Sequence, residues 1–429
     1  MELINVTDGI RLAIAETAQF KTAVMSLSVS VPLDHSAALN ALLIRLLART
    51  TKQYPTTLEM NRALATLYGA TISPVIEKQG ETQVLRLLLS ALDDRFTIDN
   101  ESVCEQCIRL LCDCFFAPDV TPDGFKEENI TLEKRLLIEK IDAERDDKIL
   151  YARQRLIEEM CKDEPYGLSK YGTKEEIEAI DGKMLFEQWK KLLLHAPLEF
   201  GFVGSTPKET LLPLLKERCV AFKKEGLLEL HTEFLTESYG TKTLEETQKV
   251  NQGKLVIGCR AGMTYDMDNY AAIRLMTAIF GGGTFSKLFM NVREKMSLCY
   301  YCSARLISAK GIILIESGVE TKNAEKALSA IRAELDDVRA GIFTDEVIEQ
   351  AKLSICDALR GVSDSNSAML GWFGSFTAAE RFYTPEQIAD MIRSVSREEI
   401  ILAANMITED TVFILKSEQE ANTHADETH

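Results

Sequence analysis

One order of elements occurs twice in this 429-residue chain, and that repetition constrains its fold more than any single motif. In the first half, "INVT" and "IRLAIAE" flank an Asp8-Gly9 turn, and "TAVMSLSVSVPL" follows with the alternation of a half-buried sheet. Two helices come next. "SAALNALLIRLLART" carries leucines at 39, 42, 43, 46 and 47, and "TTLEMNRALATLYG" opens on a Thr-x-x-Glu cap and closes at Gly69. A hairpin turns at Gln79-Gly80, "ESVCEQCIRLLCDCFF" reads as a helix, and one long charged helix is expected from about Phe125 to Met160. The strand "LEFGFVGS" and the helix "KETLLPLLKERC" close this half. The second half supplies a strand in "GKLVIGCRAG", helices in "DNYAAIRLMTAIF" and "TFSKLFMNVREK", and a hairpin turning near Lys310-Gly311. A long helix then stops at Gly341, several helices follow, and "TVFILK" is the last strand. Residues 225–252 are polar and weakly periodic and read as a linker. The expected fold class is α+β, with homologous domains at 1–224 and 253–429, each an antiparallel sheet with helices packed on one face.

Composition removes several function classes. The formal net charge of −17 argues against a nucleic-acid partner, because phosphate binding needs clustered Lys and Arg, though it suits a cationic peptide. No apolar run approaches the roughly 18 residues of a membrane span, and "MELINVTDGIRLAIAE" lacks the basic start and apolar run of a signal peptide. Ten cysteines in such a chain are expected to be reduced, in the cytoplasm.

"FGGGTFSKLF", residues 280–289, raises the question of a phosphate cradle. A Walker loop needs a second glycine before Lys287, and a dinucleotide loop needs glycines directly after a strand, whereas these follow a helix. The alternative is a helix stop, with Thr284 or Ser286 capping the next helix. Cys104, Cys107, Ile108 and Leu111 recur at helical spacing and read as a core face rather than a zinc site. Cys299 and Cys302 would project to opposite faces of a strand, which a shared metal would not choose. The five histidines, His35, His195, His231, His424 and His429, form no metal motif, and His195 reads as a structural hydrogen-bonder.

The string "NQGKLVIGCR…AIFGGGTFSKLFMNVREKMSLCYYCSA" resembles the C-terminal half of the M16 peptidases, the pitrilysin or insulinase family. "RTTKQYPTTLEMNRALATLYGATIS", "FKEENITLEKRLLIEKI", "YGTKEEIEAI" and "LEFGFVGS" resemble its first half, so the likeness spans nearly the whole chain. Family enzymes hold zinc through H-x-x-E-H, two histidines one helical turn apart with a glutamate that activates the metal-bound water. Alignment back from "RTTKQYP" places that motif on "ALLIR", so the histidine positions are Ala41 and Arg45 and the glutamate position is Ile44. The third ligand would fall at Glu139 or Lys140. No H-x-x-E-H exists anywhere in the sequence, and no metal or other cofactor is expected in this chain.

The family's second functional element is an arginine and a tyrosine seven residues apart that contact the substrate backbone. "REKMSLCY" supplies Arg293 and Tyr300 at that spacing. The resemblance therefore implies a catalytically inactive subunit, one half of a clamshell. A homologous M16 partner would carry H-x-x-E-H and the zinc, and a peptide would be the substrate. Gly281, Gly282 and Gly283 would border the chamber where that peptide passes. The competing readings are a stand-alone peptidase with an unrecognised site and a scaffold without any part in proteolysis.

Overall fold

The computed structural model describes residues 1–99, 101–121, 123–238, 240–263, 269–377 and 381–418. His424 and His429 lie outside the described residues. Thirteen strands occur among them: β1 (Glu2–Thr7), β2 (Ile10–Glu16), β3 (Thr22–Pro32), β4 (Thr71–Gln79), β5 (Thr82–Leu92), β6 (Val120–Thr121), β7 (Gly124–Phe125), β8 (Leu198–Gly204), β9 (Lys242–Gln248), β10 (Gly253–Arg260), β11 (Cys299–Ile307), β12 (Ile312–Val319) and β13 (Thr408–Ser417). One sheet runs β1-β2-β8-β3-β5-β4 and a second runs β11-β12-β10-β13-β9, while β6 and β7 form a separate small ribbon.

Read from the hairpin end, the two large sheets have the same plan. A hairpin (β4–β5 or β11–β12) pairs with the long strand β3 or β10, then with the closing strand β8 or β13. The next strand pairs in parallel, β2 on β8 and β9 on β13, while the other pairings are antiparallel. The expected linker thus contains a strand. β9, "KTLEETQ", is largely exposed, so its apolar signal is weak, and it is the counterpart of β2. The hairpin turns fall where glycine is needed, with Gly80 at φ 56° and Gly311 at φ 66°.

The chain divides into two compact units that are not contiguous in sequence. The first comprises Met1–Asp142, Leu168–His231 and Gly361–Phe382; the second comprises Ala143–Gly167, Thr232–Arg360 and Tyr383–His429. The anticipated helix over 125–160 is two helices, Glu127–Asp146 and Lys148–Met160. Asp147 separates them: its extended backbone (φ −73°, ψ 104°) leaves the helix, and its carboxylate accepts from the amides of Ile149 and Leu150 to start the second.

In the first unit, Leu85, Leu87 and Leu89 of β5 and Leu27 of β3 face the helices Ala37–Leu47 and Val103–Phe116 in one large core. Cys104, Cys107, Ile108 and Leu111 lie fully inside it. The opposite sheet face carries the helix Asn366–Gly374, whose Leu370 and Phe373 meet Ala13, Ala15, Val24 and Val203. In the second unit the helix Lys148–Met160 packs on β10 and β13 through Ala152, Leu156 and Met160. Each sheet therefore carries a helix on the face away from its main helical layer. Close approach is possible because the strand residue beneath is glycine: a Cβ on Gly258 would sit 2.6 Å from Met160 Sδ, and one on Gly201 would sit 2.5 Å from Leu370 Cδ1.

A buried ionic network fixes the turn that follows Lys148–Met160. Glu164 receives Arg260 Nη2 at 2.7 Å and Lys310 Nζ at 2.7 Å, and Arg260 Nε donates to Asp410 at 2.9 Å. Lys310 is 0% exposed and also donates to the Glu233 carbonyl at 2.5 Å. Burial alone would raise the Glu164 carboxyl, but Arg260 and Lys310 hold it below the ordinary glutamate range. No helix among the described residues is long and apolar enough to cross a membrane.

Candidate functional site

Two places in the fold bear on chemistry. The first is the helix Ala37–Leu47, where the zinc motif would stand. Nine of its eleven residues are buried, so it is apolar on nearly every side and sits within the core. Ala41 and Ile44 point into that packing at 0% and 1% exposure. Arg45 does not: its Nε donates to Glu133 Oε2 at 2.7 Å, and Arg49, one turn on, donates from Nη1 to Glu133 Oε1 at 2.6 Å. Both oxygens of a buried carboxylate are thereby paired with guanidinium groups.

Glu133 is the residue that sequence reasoning missed. Glu139 lies six residues further along the helix Glu127–Asp146, about 240° around it, and is 62% exposed beside Arg135 at 3.7 Å. Lys140 lies over the Tyr171 ring at 5.4 Å. Neither expected position reaches Arg45 as Glu133 does. A signal was present, since Ile130, Glu133 and Leu137 form the helix's buried stripe and a charge on such a stripe requires a partner.

These side chains do not fit a zinc ion. One carboxylate remains, an alanine and an isoleucine offer no lone pair, and the arginine brings a fixed positive charge to the position of a ligand. Among the described residues no three His, Cys, Asp or Glu side chains gather closely enough to hold a metal. His195 is part-exposed, with Nδ1 3.1 Å from the Gly226 carbonyl oxygen, in keeping with a structural hydrogen bond.

The second place is the stretch from Gly281 to Tyr300. The helix Tyr270–Gly281 ends on the glycines, and none of the three has a positive φ. Gly281 is needed for space: a Cβ there would lie 2.5 Å from the Ala304 backbone nitrogen of β11 and 2.9 Å from Leu288 Cδ1. Gly282 caps the helix at φ −89° and is exposed, and Gly283 is half-buried. Ser286 Oγ accepts from the Phe289 amide at 3.4 Å, but the N-cap of the next helix is Lys287, which makes no side-chain cap bond, and not the Thr284 or Ser286 expected.

Where a short α-helix was expected, Leu288–Lys295 is π-helical, and Met296 N donates to the Asn291 carbonyl five residues back at 2.9 Å. Arg293 lies on this wide turn, partly exposed, its guanidinium 4.6 Å from the Phe289 ring centre and its Nε 3.6 Å from the Glu294 carboxylate. The chain then reverses through Ser297, at φ 50°, with Leu298 N bonded to the Val292 carbonyl at 3.2 Å.

β11 begins with a bulge. Cys299 pairs with Val319 and Tyr301 with Gly318, so Tyr300 is the extra residue and stands out from the strand, 63% exposed. The same bulge shifts the alternation by one, which overturns the expectation for the cysteines: Cys299 and Cys302 are both buried, with their thiols hydrogen-bonded. That bond from Cys302 holds the Cys299 thiol below its ordinary value against the opposing effect of burial, aided by Ser317 and the Arg293 charge, while Cys302 is pushed up. Arg293 and Tyr300 thus flank one tight reversal at the free edge of the sheet, where β11 is the terminal strand. A guanidinium and a phenol beside an unpaired edge can donate hydrogen bonds to the carbonyls of an extended chain.

Known proteins with a similar sequence or fold agree with the loss of the zinc ligands. Residues 180–355 match the family model described as the peptidase M16 inactive domain. Over 426 residues, 98% of this chain and 99% of the relative, the sequence is 32% identical to the probable inactive metalloprotease YmfF of Bacillus subtilis. A solved structure of a conserved protein from Enterococcus faecalis is similar at TM-score 0.85 and 24% identity, covering 97% of this chain and 98% of that one. The peptidase M16 inactive domain from Pseudomonas fluorescens is similar at TM-score 0.77 and 15% identity, covering 97% and 98%.

Proposed function

The chain belongs to the M16 peptidase family and lacks that family's zinc motif, and from this premise we propose that it is the substrate-holding subunit of a heterodimeric zinc peptidase. A homologous subunit bearing H-x-x-E-H contributes the metal and performs the hydrolysis, and both work in the cytoplasm. One observation carries the reading. Ala41, Ile44 and the Arg45–Glu133 pair replace the zinc chemistry, yet Arg293, partly exposed, and Tyr300, largely exposed, flank a structured turn.

In this role the two side chains act on the main chain of the substrate. Arg293 and the Tyr300 hydroxyl donate to carbonyl oxygens of an extended peptide, which orients it and stabilises negative charge as it develops at the scissile carbonyl. Main-chain recognition tolerates many sequences, so peptides or unfolded segments are the substrates. Gly281–Gly283 end the helix ahead of this turn, and Gly281 keeps the π-helical segment close to β11.

The test is reconstitution with an H-x-x-E-H-bearing M16 homologue. Cleavage of a fluorogenic peptide is expected only in the mixture, falling roughly a hundredfold with Arg293→Ala or Tyr300→Phe, the scale typical for loss of one charge-stabilising donor. A mixture that cleaves equally well with both residues replaced overturns the proposal.

A further inference from the structure

A cavity of about 360 Å³ opens beside Tyr300, lined by Asn251, Gln252, Tyr300 and Glu320. The sheet register brings these four together. Val319 pairs with both Gly253 and Cys299, so the residues just before β10, just after β12 and at the β11 bulge meet at one end of the sheet. The lining comprises a carboxylate, two carboxamides and the exposed phenol ring, one anionic group among neutral ones.

The existing partners show what this lining accepts. Gln252 Oε1 takes a hydrogen bond from Lys254 Nζ at 2.8 Å, and Glu320 Oε2 lies 3.0 Å from Lys322 Nζ and 3.4 Å from Asn323 Nδ2. Lys322 is well exposed, and a solvated pair of this kind contributes little, so a second cation can join or displace it at small cost. A tyrosine face favours an alkyl stem ending in a cation. The formal charge of −17 draws cationic peptides toward the protein and repels acidic ones.

We propose that this cavity is a subsite for a lysine or arginine side chain of the peptide held by Arg293 and Tyr300. It rests on the substrate-holding reading and sharpens it: the preferred substrates are basic peptides, with one cationic residue placed beside the gripped carbonyl. The Tyr300 hydroxyl serves the main chain while its ring packs on the stem of the cationic residue, and Glu320 pairs with the charge.

The experiment uses the full chain and a set of fluorescein-labelled neutral decapeptides in which one residue at a time is lysine, norleucine or glutamate, with binding followed by fluorescence anisotropy. At one register lysine is expected to bind about threefold tighter than norleucine, on the scale of one exposed ion pair, with glutamate weakest. In Glu320→Gln that lysine-to-norleucine ratio is expected to fall close to one. Equal affinities in the unsubstituted protein, a preference for glutamate, or a lysine preference that survives Glu320→Gln each overturn the subsite. If Arg293→Ala still weakens every peptide in those cases, the substrate-holding reading stands without it. Absence of binding by any peptide overturns both.

Discussion

Glu133 is a structural joint beside the helix where the zinc motif would stand. Its two oxygens are shared by Arg45 and Arg49, so removal of one partner has unequal consequences depending on which is removed. Arg45→Ala leaves Glu133 still paired with Arg49 and is expected to cost about 2 kcal/mol. Glu133→Ala strands two guanidiniums at the core edge and is expected to cost more, about 3 to 4 kcal/mol. Urea denaturation of the two variants checks the order, and the reverse order would mean that Arg49 does not share the load. The loss of the zinc ligands at Ala41, Ile44 and Arg45 was legible in the sequence because it is a matter of residue identity. The partner of Arg45 was not, because 88 residues separate the two and only packing brings them together.

At the scale of elements, local chemistry was read well where it is local. The capping box of Thr56 and Glu59, the hairpin turns at Gly80 and Gly311 and the left-handed stop at Gly341 all stand where short-range rules place them. The errors share a cause. Helical spacing across 125–160 is continuous, yet Asp147 interrupts it; "KTLEETQ" looks like linker because an exposed edge strand need not be apolar; and the π-turn at Leu288–Lys295 has no simple periodic signature. Gly281 links two such elements, the helix Tyr270–Gly281 and β11. Gly281→Ala is expected to destabilise by about 1 to 3 kcal/mol, since a methyl 2.5 Å from a backbone nitrogen forces the helix off the strand. A thermal melt of this variant indistinguishable from that of the parent would show that the glycine is a simple helix stop.

At the scale of the whole molecule, the two sheets share one plan but neither compact unit is a continuous stretch of chain. The segment 143–167 depends on the Glu164 network for its place in the second unit. Because the folded carboxyl of Glu164 lies below its ordinary value, its contribution is fully present above the unfolded value and is lost as pH falls through the depressed one. Unfolding free energy should therefore decline as acid takes the pH below the ordinary glutamate range, and Glu164→Gln should lower stability at neutral pH and flatten part of that slope. Denaturant titrations across this range decide it; an unchanged slope in the variant would assign the acid sensitivity to other carboxylates. By itself the sequence determined most of the strands and helices, the doubled order, the absence of H-x-x-E-H and the Arg293/Tyr300 spacing, because these depend on residue identity and near-neighbour periodicity. Only the tertiary structure decided that Glu133 answers Arg45, that a bulge turns Tyr300 outward, and that each sheet carries an additional helix on its second face. Those outcomes depend on which distant surfaces exclude water together, and that is not encoded in the spacing of any one segment.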